Sequence, residues 1–219
     1  RQGCLFRRDL RVDTTIQAAA PHKPTTTGTM FKACLLLSLL VVVATARVHC
    51  AEPPTVDEVN VPKFFNGTWY QIAVSKEFAD LTEKKSGFCT KAEYFLDQSS
   101  GMVKVVNSGR DSLDGPVDTA IGKAKQVDGG KFAVSFFGPF YGPYWITRLY
   151  GEEETGYEVA AVYSCSTYLF GLFGQESLWI LSRTPTIPNL QTVLGDVEAY
   201  GVDVKGLNMQ VTPQKGCPQ

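Results

Sequence analysis

From Trp69 onward the chain is punctuated in a way that only an antiparallel sheet protein satisfies. Short runs rich in Val, Ile, Tyr, Phe and Thr are separated by Gly, Asp, Asn and Pro clusters, at the spacing of about 8 to 12 residues found in sandwiches and barrels. The runs are Thr68 to Ser75, Thr90 to Leu96, Met102 to Ser108, Val117 to Val127, Lys131 to Phe136, Tyr144 to Tyr150, Gly156 to Ser164 and Ser177 to Ser182. Gly101, Gly129-Gly130 and the pair Gly151 and Gly156 supply turns between them. Pro185 and Pro188 then break the pattern. From Asn189 to Tyr200 the apolar residues Leu190, Val193, Leu194 and Val197 recur at helical spacing, and a short strand, Leu207 to Thr212, follows. Eight strands joined by short turns, then one amphipathic helix, predict an all-β fold: an eight-stranded antiparallel up-and-down β-barrel with one C-terminal α-helix. Closure removes both sheet edges and encloses a small cavity at this strand number.

The residues before the first strand read differently. Met30 to Ala46 comprises a lysine, the apolar run Ala33 to Ala44 and the small-residue pattern Ala44-Thr45-Ala46, which is the form of a secretory signal peptide cut after Ala46. The apolar run is shorter than the roughly 20 residues of a membrane span. Residues 1–29 carry Arg7, Arg8, Arg11 and a Thr25-Thr26-Thr27 tract without periodicity, and are expected to be a disordered leader or translated upstream sequence. Residues 47–219 then form one domain, and the expected localisation is secreted and extracellular.

Removing the leader takes six of 21 basic but only two of 22 acidic residues, leaving 15 against 20 and a net charge of −5. An acidic chain lacks the basic footprint that nucleic acid requires, and no nucleic acid partner is expected. His49 is the one histidine beyond the leader, so neither a Ser-His-Asp or Cys-His arrangement nor a His/Cys zinc set can be assembled. Phosphate-binding glycine loops and a G-x-S-x-G elbow are missing as well. The densest acidic group, Glu152-Glu153-Glu154, sits between Gly151 and Gly156 and reads as a solvated hairpin turn. No catalytic residues, metal or cofactor are expected. Cys50, Cys89, Cys165 and Cys217 remain after cleavage, an even set that predicts two disulfides, with three connectivities open.

At the first strand, Asn66-Gly67-Thr68-Trp69-Tyr70 carries a G-x-W motif, and Arg183 follows the eighth strand in Leu178-Trp179-Ile180-Leu181-Ser182-Arg183, 114 residues after Trp69. With a meander between them and a helix after, these residues resemble the lipocalin family, in which the arginine lies against the first-strand tryptophan at the closed barrel end. The contact is a cation–π pair worth ~0.5 to 2 kcal/mol when shielded. Gly87 to Tyr94 (GFCTKAEY), Ser135 to Trp145 (SFFGPFYGPYW), Ala161 to Cys165 (AVYSC) and Leu178 to Pro185 (LWILSRTP) are similar to the branch of the family that holds apolipoprotein D and the bacterial outer-membrane lipocalin. The middle family motif, usually Thr-Asp-Tyr, is Ala161-Val162-Tyr163 here, so receptor binding through that loop is not carried over.

The resemblance implies the pairings Cys50–Cys165 and Cys89–Cys217, each tying a tail to the barrel wall. It also implies a cup lined by Tyr94, Asn107, Phe136, Tyr144 and Trp179, suited to a small hydrophobic ligand with one polar end: a fatty acid, sterol, retinoid or similar lipid. Arg148 joins this set if its parity with Tyr144 and Ile146 holds, which would point it inward at a carboxylate. Two other functions are open to the same scaffold. One is a carotenoid-binding pigment protein of the crustacyanin type, working as an oligomer; the other is an enzyme with a strand cysteine, Cys89, as nucleophile, which disulfide pairing disfavours. Between the seventh and eighth strands Tyr168 to Gly174 (YLFGLFG) is an apolar, glycine-punctuated loop, and Leu169, Phe170 and Phe173 are candidates for contact with a membrane or lipoprotein surface. The alternative is that these residues fold over the cup or extend the hairpin. Asn66-Gly67-Thr68 is a glycosylation sequon at Asn66.

Overall fold

The computed structural model describes residues 50–152, 156–168 and 172–218. The leader and signal segment expected over 1–46 lie outside the described residues, as do Glu153, Glu154, Leu169 and Phe170.

Eight strands run in chain order around one barrel: β1 Asn66–Ser75, β2 Phe88–Leu96, β3 Val103–Arg110, β4 Val117–Asp128, β5 Lys131–Phe137, β6 Phe140–Glu152, β7 Gly156–Tyr168 and β8 Phe173–Ser182. Each pairs antiparallel with the next, and β1 pairs with both β8 and β2, which closes the sheet. The expected eight-stranded meander is therefore the observed one. Among the described residues four short helices accompany it: α1 Val61–Phe64, α2 Lys76–Thr82, α3 Leu190–Ala199 and α4 Val204–Leu207. A ninth strand, β9 Met209–Val211, adds to β1.

The two faces of the barrel wall bury different partners, as period-2 alternation requires. Inward residues such as Trp69, Tyr94, Val105, Ala124, Phe132, Ile146, Val162 and Leu181 form one cluster with Phe64 and Phe65. Outward residues Ile72, Ala73, Ala161, Tyr163, Leu178 and Ile180 form a second with Val193, Leu194 and Val197 of α3. The helical spacing seen in the sequence is thus the stripe that covers one side of the barrel.

The seam beside β1 is built in two halves. Asn66 to Tyr70 pair with β2, whereas Ala73 to Ser75 pair with β9. The changeover falls at Cys89, whose φ of 56° breaks the β2 ladder between Phe88 and Lys91. The C-terminal tail fills the gap: the Cys89 amide donates to Pro213 O at 3.0 Å and the Thr212 amide to Ile72 O at 2.9 Å. Gln214 Nε2 bridges the seam, donating to Gln71 O at 2.8 Å and Thr90 O at 2.7 Å.

Two expectations change at the hairpins. β7 and β8 stay paired out to Tyr168 and Phe173, so Phe173 is a strand residue rather than a loop residue. The hairpin extends because β-branched and aromatic side chains, Thr167 and Tyr168, continue past Ser164. β6 likewise begins at Phe140, before the expected Tyr144, and carries Pro143 within the strand.

Candidate functional site

The closed end of the barrel is assembled around a short helix that the strand pattern concealed. Asn60 caps α1 by accepting from the Lys63 amide at 3.2 Å, and Pro62 sits in its first turn, where no amide is needed. This fixes the entry of Phe64 and Phe65 into the barrel, and both are fully buried. Phe64 packs on Trp69 with ring centroids 5.0 Å apart; Phe65 meets Phe132 at 4.7 Å and Tyr94 at 5.0 Å. Together they form an aromatic floor.

Arg183 locks that floor from outside. Its guanidinium lies 4.0 Å over the Trp69 ring, and its nitrogens donate to the carbonyls of Asn66, Thr68, Lys63 and Phe64 at 2.8 to 3.1 Å. Trp69 Nε1 donates to Phe64 O at 2.9 Å. Gly67 opens β1 at φ +73°, a conformation that side chains resist. The three motif residues expected at the closed end are brought together there, and Asn66 of the sequon is exposed beside them.

Above the floor stand two tyrosines. Tyr94 and Tyr144 share a hydrogen bond between their hydroxyls at 3.0 Å. Burial raises the Tyr94 phenol to about 12, a shift that the bond to Tyr144 and the nearby Arg183 charge reduce. Burial also pushes Tyr144 well up, and the adjacent Tyr94 adds to it. Both phenols are therefore neutral at physiological pH, and the pair offers a donor and acceptors to a polar group without bringing in a charge.

The remaining wall residues are placed by register, since directly paired residues share a face. Asn107 is half-buried on the inward face of β3, opposite Ala92 on β2 and Ala120 on β4. Phe136 is inward on β5, and its ring crosses Gly122 so closely that a Cβ there would stand 2.7 Å from Phe136 Cδ1. Gly122 is thus what lets Phe136 lie flat along the wall. Trp179 is inward on β8, half-buried, and meets Phe78 of α2 edge-on at 4.7 Å. α2 follows the open end of β1, so this pair marks the mouth.

Arg148 does not belong to the cup. A β-bulge between Ile146 and Arg148 shifts the register by one: Ile146 pairs with inward Val162, but Arg148 pairs with outward Ala161. One extra residue reverses every following side chain. Arg148 accordingly lies outside, with its guanidinium 3.5 Å over the Tyr200 ring beyond α3.

Both expected disulfides are formed, Cys50–Cys165 and Cys89–Cys217. Cys89 is therefore not a thiol. At the mouth, Tyr168, Leu172 and Phe173 are exposed at the β7–β8 tip, and Phe137 and Phe140 are 82 % and 78 % exposed at the neighbouring β5–β6 tip. Phe64, Phe65, Phe132 and Phe78 were not expected at the site; the Asn60-x-Pro62 helix start was the one local signal for the first two. No group of His, Cys, Asp and Glu among the described residues could hold a metal ion.

A family model described as the lipocalin-like domain matches residues 59–212. Apolipoprotein D of Mus musculus is 36% identical over 177 residues, covering 77% of this chain and 84% of that protein. The outer membrane lipoprotein Blc of Escherichia coli (strain K12) is 35% identical over 179 residues, covering 75% and 91%. Among solved structures, lobster apocrustacyanin A1 is similar with a TM-score of 0.52 at 22% identity, covering 76% of this chain and 92% of that one, a likeness of fold. The one-ended barrel, the arginine over the first-strand tryptophan and these matches agree, and the chain belongs to the lipocalin family.

Proposed function

We propose that the cup binds and carries a small hydrophobic molecule with one polar end, such as a fatty acid, sterol or retinoid, and that the chain is a secreted carrier rather than an enzyme. The observation that carries this reading is the aromatic floor surmounted by the neutral Tyr94–Tyr144 pair. Apolar walls supply affinity at about 0.8 kcal/mol per buried methylene, and the hydroxyls with Asn107 orient the polar end. Phe136, Trp179 and Phe78 line the way in. A mouth rimmed by exposed aromatics supports contact of Leu169, Phe170 and Phe173 with a membrane or lipoprotein surface, where cargo would be exchanged. Two relatives carry the names apolipoprotein and outer membrane lipoprotein, in keeping with a lipid setting. Exposure of Asn66 supports glycosylation there, and two disulfides support passage through an oxidising compartment.

The test is native mass spectrometry with extraction of bound small molecules from protein secreted by eukaryotic cells. Lipid at near one per chain is expected, and a visible absorption band would select a carotenoid instead. An empty protein whose Trp179 fluorescence is not quenched by fatty acids, sterols, retinoids or carotenoids would overturn the carrier reading.

A further inference from the structure

The outer wall of β3 and β4 carries more positive charge than a barrel wall needs. Ala124, Val103 and Val105 face inward, so Lys104, Lys123 and Lys125 face out, and all three are exposed. Lys104 is directly opposite Lys123 in the ladder, an arrangement that like charges disfavour. The outward positions of β3, and of β4 from Val117 to Lys125, hold no carboxylate at all. Aromatic rings hold the ammonium groups in place: Lys104 lies 5.7 Å over Phe95, and Lys123 and Lys125 lie 5.6 and 4.7 Å over Tyr141. None of the three takes part in an ion pair among the described residues. This excess stands on a chain whose net charge beyond the leader is −5.

Apolar side chains flank the lysines on the side of the mouth. Ile121, 61 % exposed, is two residues from Lys123 on the same face. Lys123 pairs with Ser135 on the outer wall; beyond it a β-bulge between Val134 and Phe137 shifts the β5–β6 register by one, and Phe137, paired with Phe140, stands exposed at the hairpin tip next to the lysine face rather than on it. Two strand residues span roughly 7 Å. That is about the depth, 5 to 10 Å, to which apolar side chains enter a bilayer while basic groups stay at the phosphates.

We infer that this wall docks on an anionic membrane, with Lys104, Lys123 and Lys125 against lipid phosphates and Phe137 and Phe140 in the acyl boundary. An acidic peptide or a sulfated glycan would engage the lysines but leave the phenyl rings in water; a bilayer takes both. Docking on this side tips the mouth toward the lipid instead of pressing only the β7–β8 tip into it. The inference extends the membrane-contact part of the proposed function and does not depend on what the cup holds.

The experiment is co-sedimentation of the disulfide-bonded protein with phosphatidylcholine vesicles, with and without phosphatidylserine at a ratio of about 7:3, a composition that gives the surface a negative potential. Binding to the phosphatidylserine vesicles alone is expected. It should be lost when salt rises from about 0.1 M to 1 M, which shortens the screening length from about 10 Å to 3 Å. The variant K104Q/K123Q/K125Q should lose on the order of 100-fold in partition, and F137S/F140S should weaken it too, with fluorescence titration of cavity ligand unchanged in both. Equal binding to neutral vesicles, or unchanged partition of the triple lysine variant, overturns the inference. So does a lysine variant that loses only binding to a soluble sulfated polysaccharide. Loss of cavity binding in wild type with partition as expected would instead remove the carrier reading and leave this one standing. Partition lost only in L169S/F170S/F173S would place the contact at the β7–β8 tip and overturn the wall.

Discussion

The Arg183 guanidinium and the Trp69 indole are stacked 4.0 Å apart, although 114 residues separate them in the chain. The stack is the smaller part of what Arg183 does. Its two terminal nitrogens satisfy four carbonyls at the end of α1 and the start of β1, sharing that of Phe64 with Trp69 Nε1. Lysine offers a point charge in place of a planar fork. Urea unfolding should therefore show R183A destabilised by about 3 kcal/mol and R183K by about 2 kcal/mol, on the scale of a cation–π contact plus charged hydrogen bonds. A loss below ~0.5 kcal/mol in both would mean that the floor is held by the phenylalanines alone.

The tyrosine pair gives a pH dependence of known sign. Tyr94 is held at about 12 in the folded protein, whereas an unfolded tyrosine titrates at about 10. Below that lower value both states keep the proton, and the contribution of the pair to stability is complete. As pH rises from about 10 towards 12 only the unfolded chain gives up protons, so stability falls across that window. Tyr150 and Tyr163 are also raised, so alkaline titration followed by phenolate absorbance should show two fewer late-titrating tyrosines in Y94F/Y144F than in the wild type, and the double variant should reduce the fall in melting temperature above about pH 10. An ordinary titration of all the tyrosines would place the pair in contact with water.

The strand meander, the helix and the closed-end motif were legible because each is written in local terms: alternation of faces, a 3.6-residue stripe, a tryptophan and an arginine. The floor was not. Phe64 and Phe65 precede the first strand run, and four residues of helix leave no periodicity to read. Arg148 was misplaced for a different reason: parity assumes an unbroken ladder, and the bulge after Ile146 is a pairing event that Thr147 does not announce. Gly122 reads as one more strand glycine until the Phe136 ring is found across it. Each omission depends on contacts between distant segments.

Moving Arg148 outside makes a clear expectation for ligand binding. R148A should leave fatty-acid affinity within about twofold of wild type, since no charge is removed from the cup. It should instead lower thermal stability, because the guanidinium stacks 3.5 Å over Tyr200 at the end of α3. A tenfold loss of fatty-acid binding without a stability change would return Arg148 to the site.

Gly122 controls the shape of the wall. Adding a methyl there puts it 2.7 Å from both Phe136 Cδ1 and Ser135 O, so the ring must swing into the cup or the strands must part. Overpacking of this kind costs about 1 to 3 kcal/mol. G122A should therefore lower stability by that amount and weaken binding of a bulky ligand such as a sterol more than that of a linear fatty acid. F136A, which empties the same space, is expected to reverse the preference, and G122A/F136A to recover part of the lost stability. Independent, additive effects in that cycle would show that the ring and the glycine do not meet.

The Cys89–Cys217 bridge closes the seam that β2 leaves open beside β1, and its removal should be read there. Cross-linking over 128 residues restricts the unfolded chain strongly, and loss of such a bridge costs about 2 to 5 kcal/mol. The local effect is more telling than the total. Without the bridge, β9 and the tail are held to the barrel by three paired residues, the backbone bonds at Thr212 and Pro213, and the Gln71–Thr212 and Gln214 side-chain bonds. C89S/C217S should therefore expose the amides of Thr212 and of position 89 to rapid hydrogen exchange while the amides of β6 and β7 remain protected. C50S/C165S acts on the other tail and should leave the β9 amides protected. If both double variants loosen the same amides, the two bridges stabilise the barrel as a whole, and the C-terminal tail is not a separate closure of the seam.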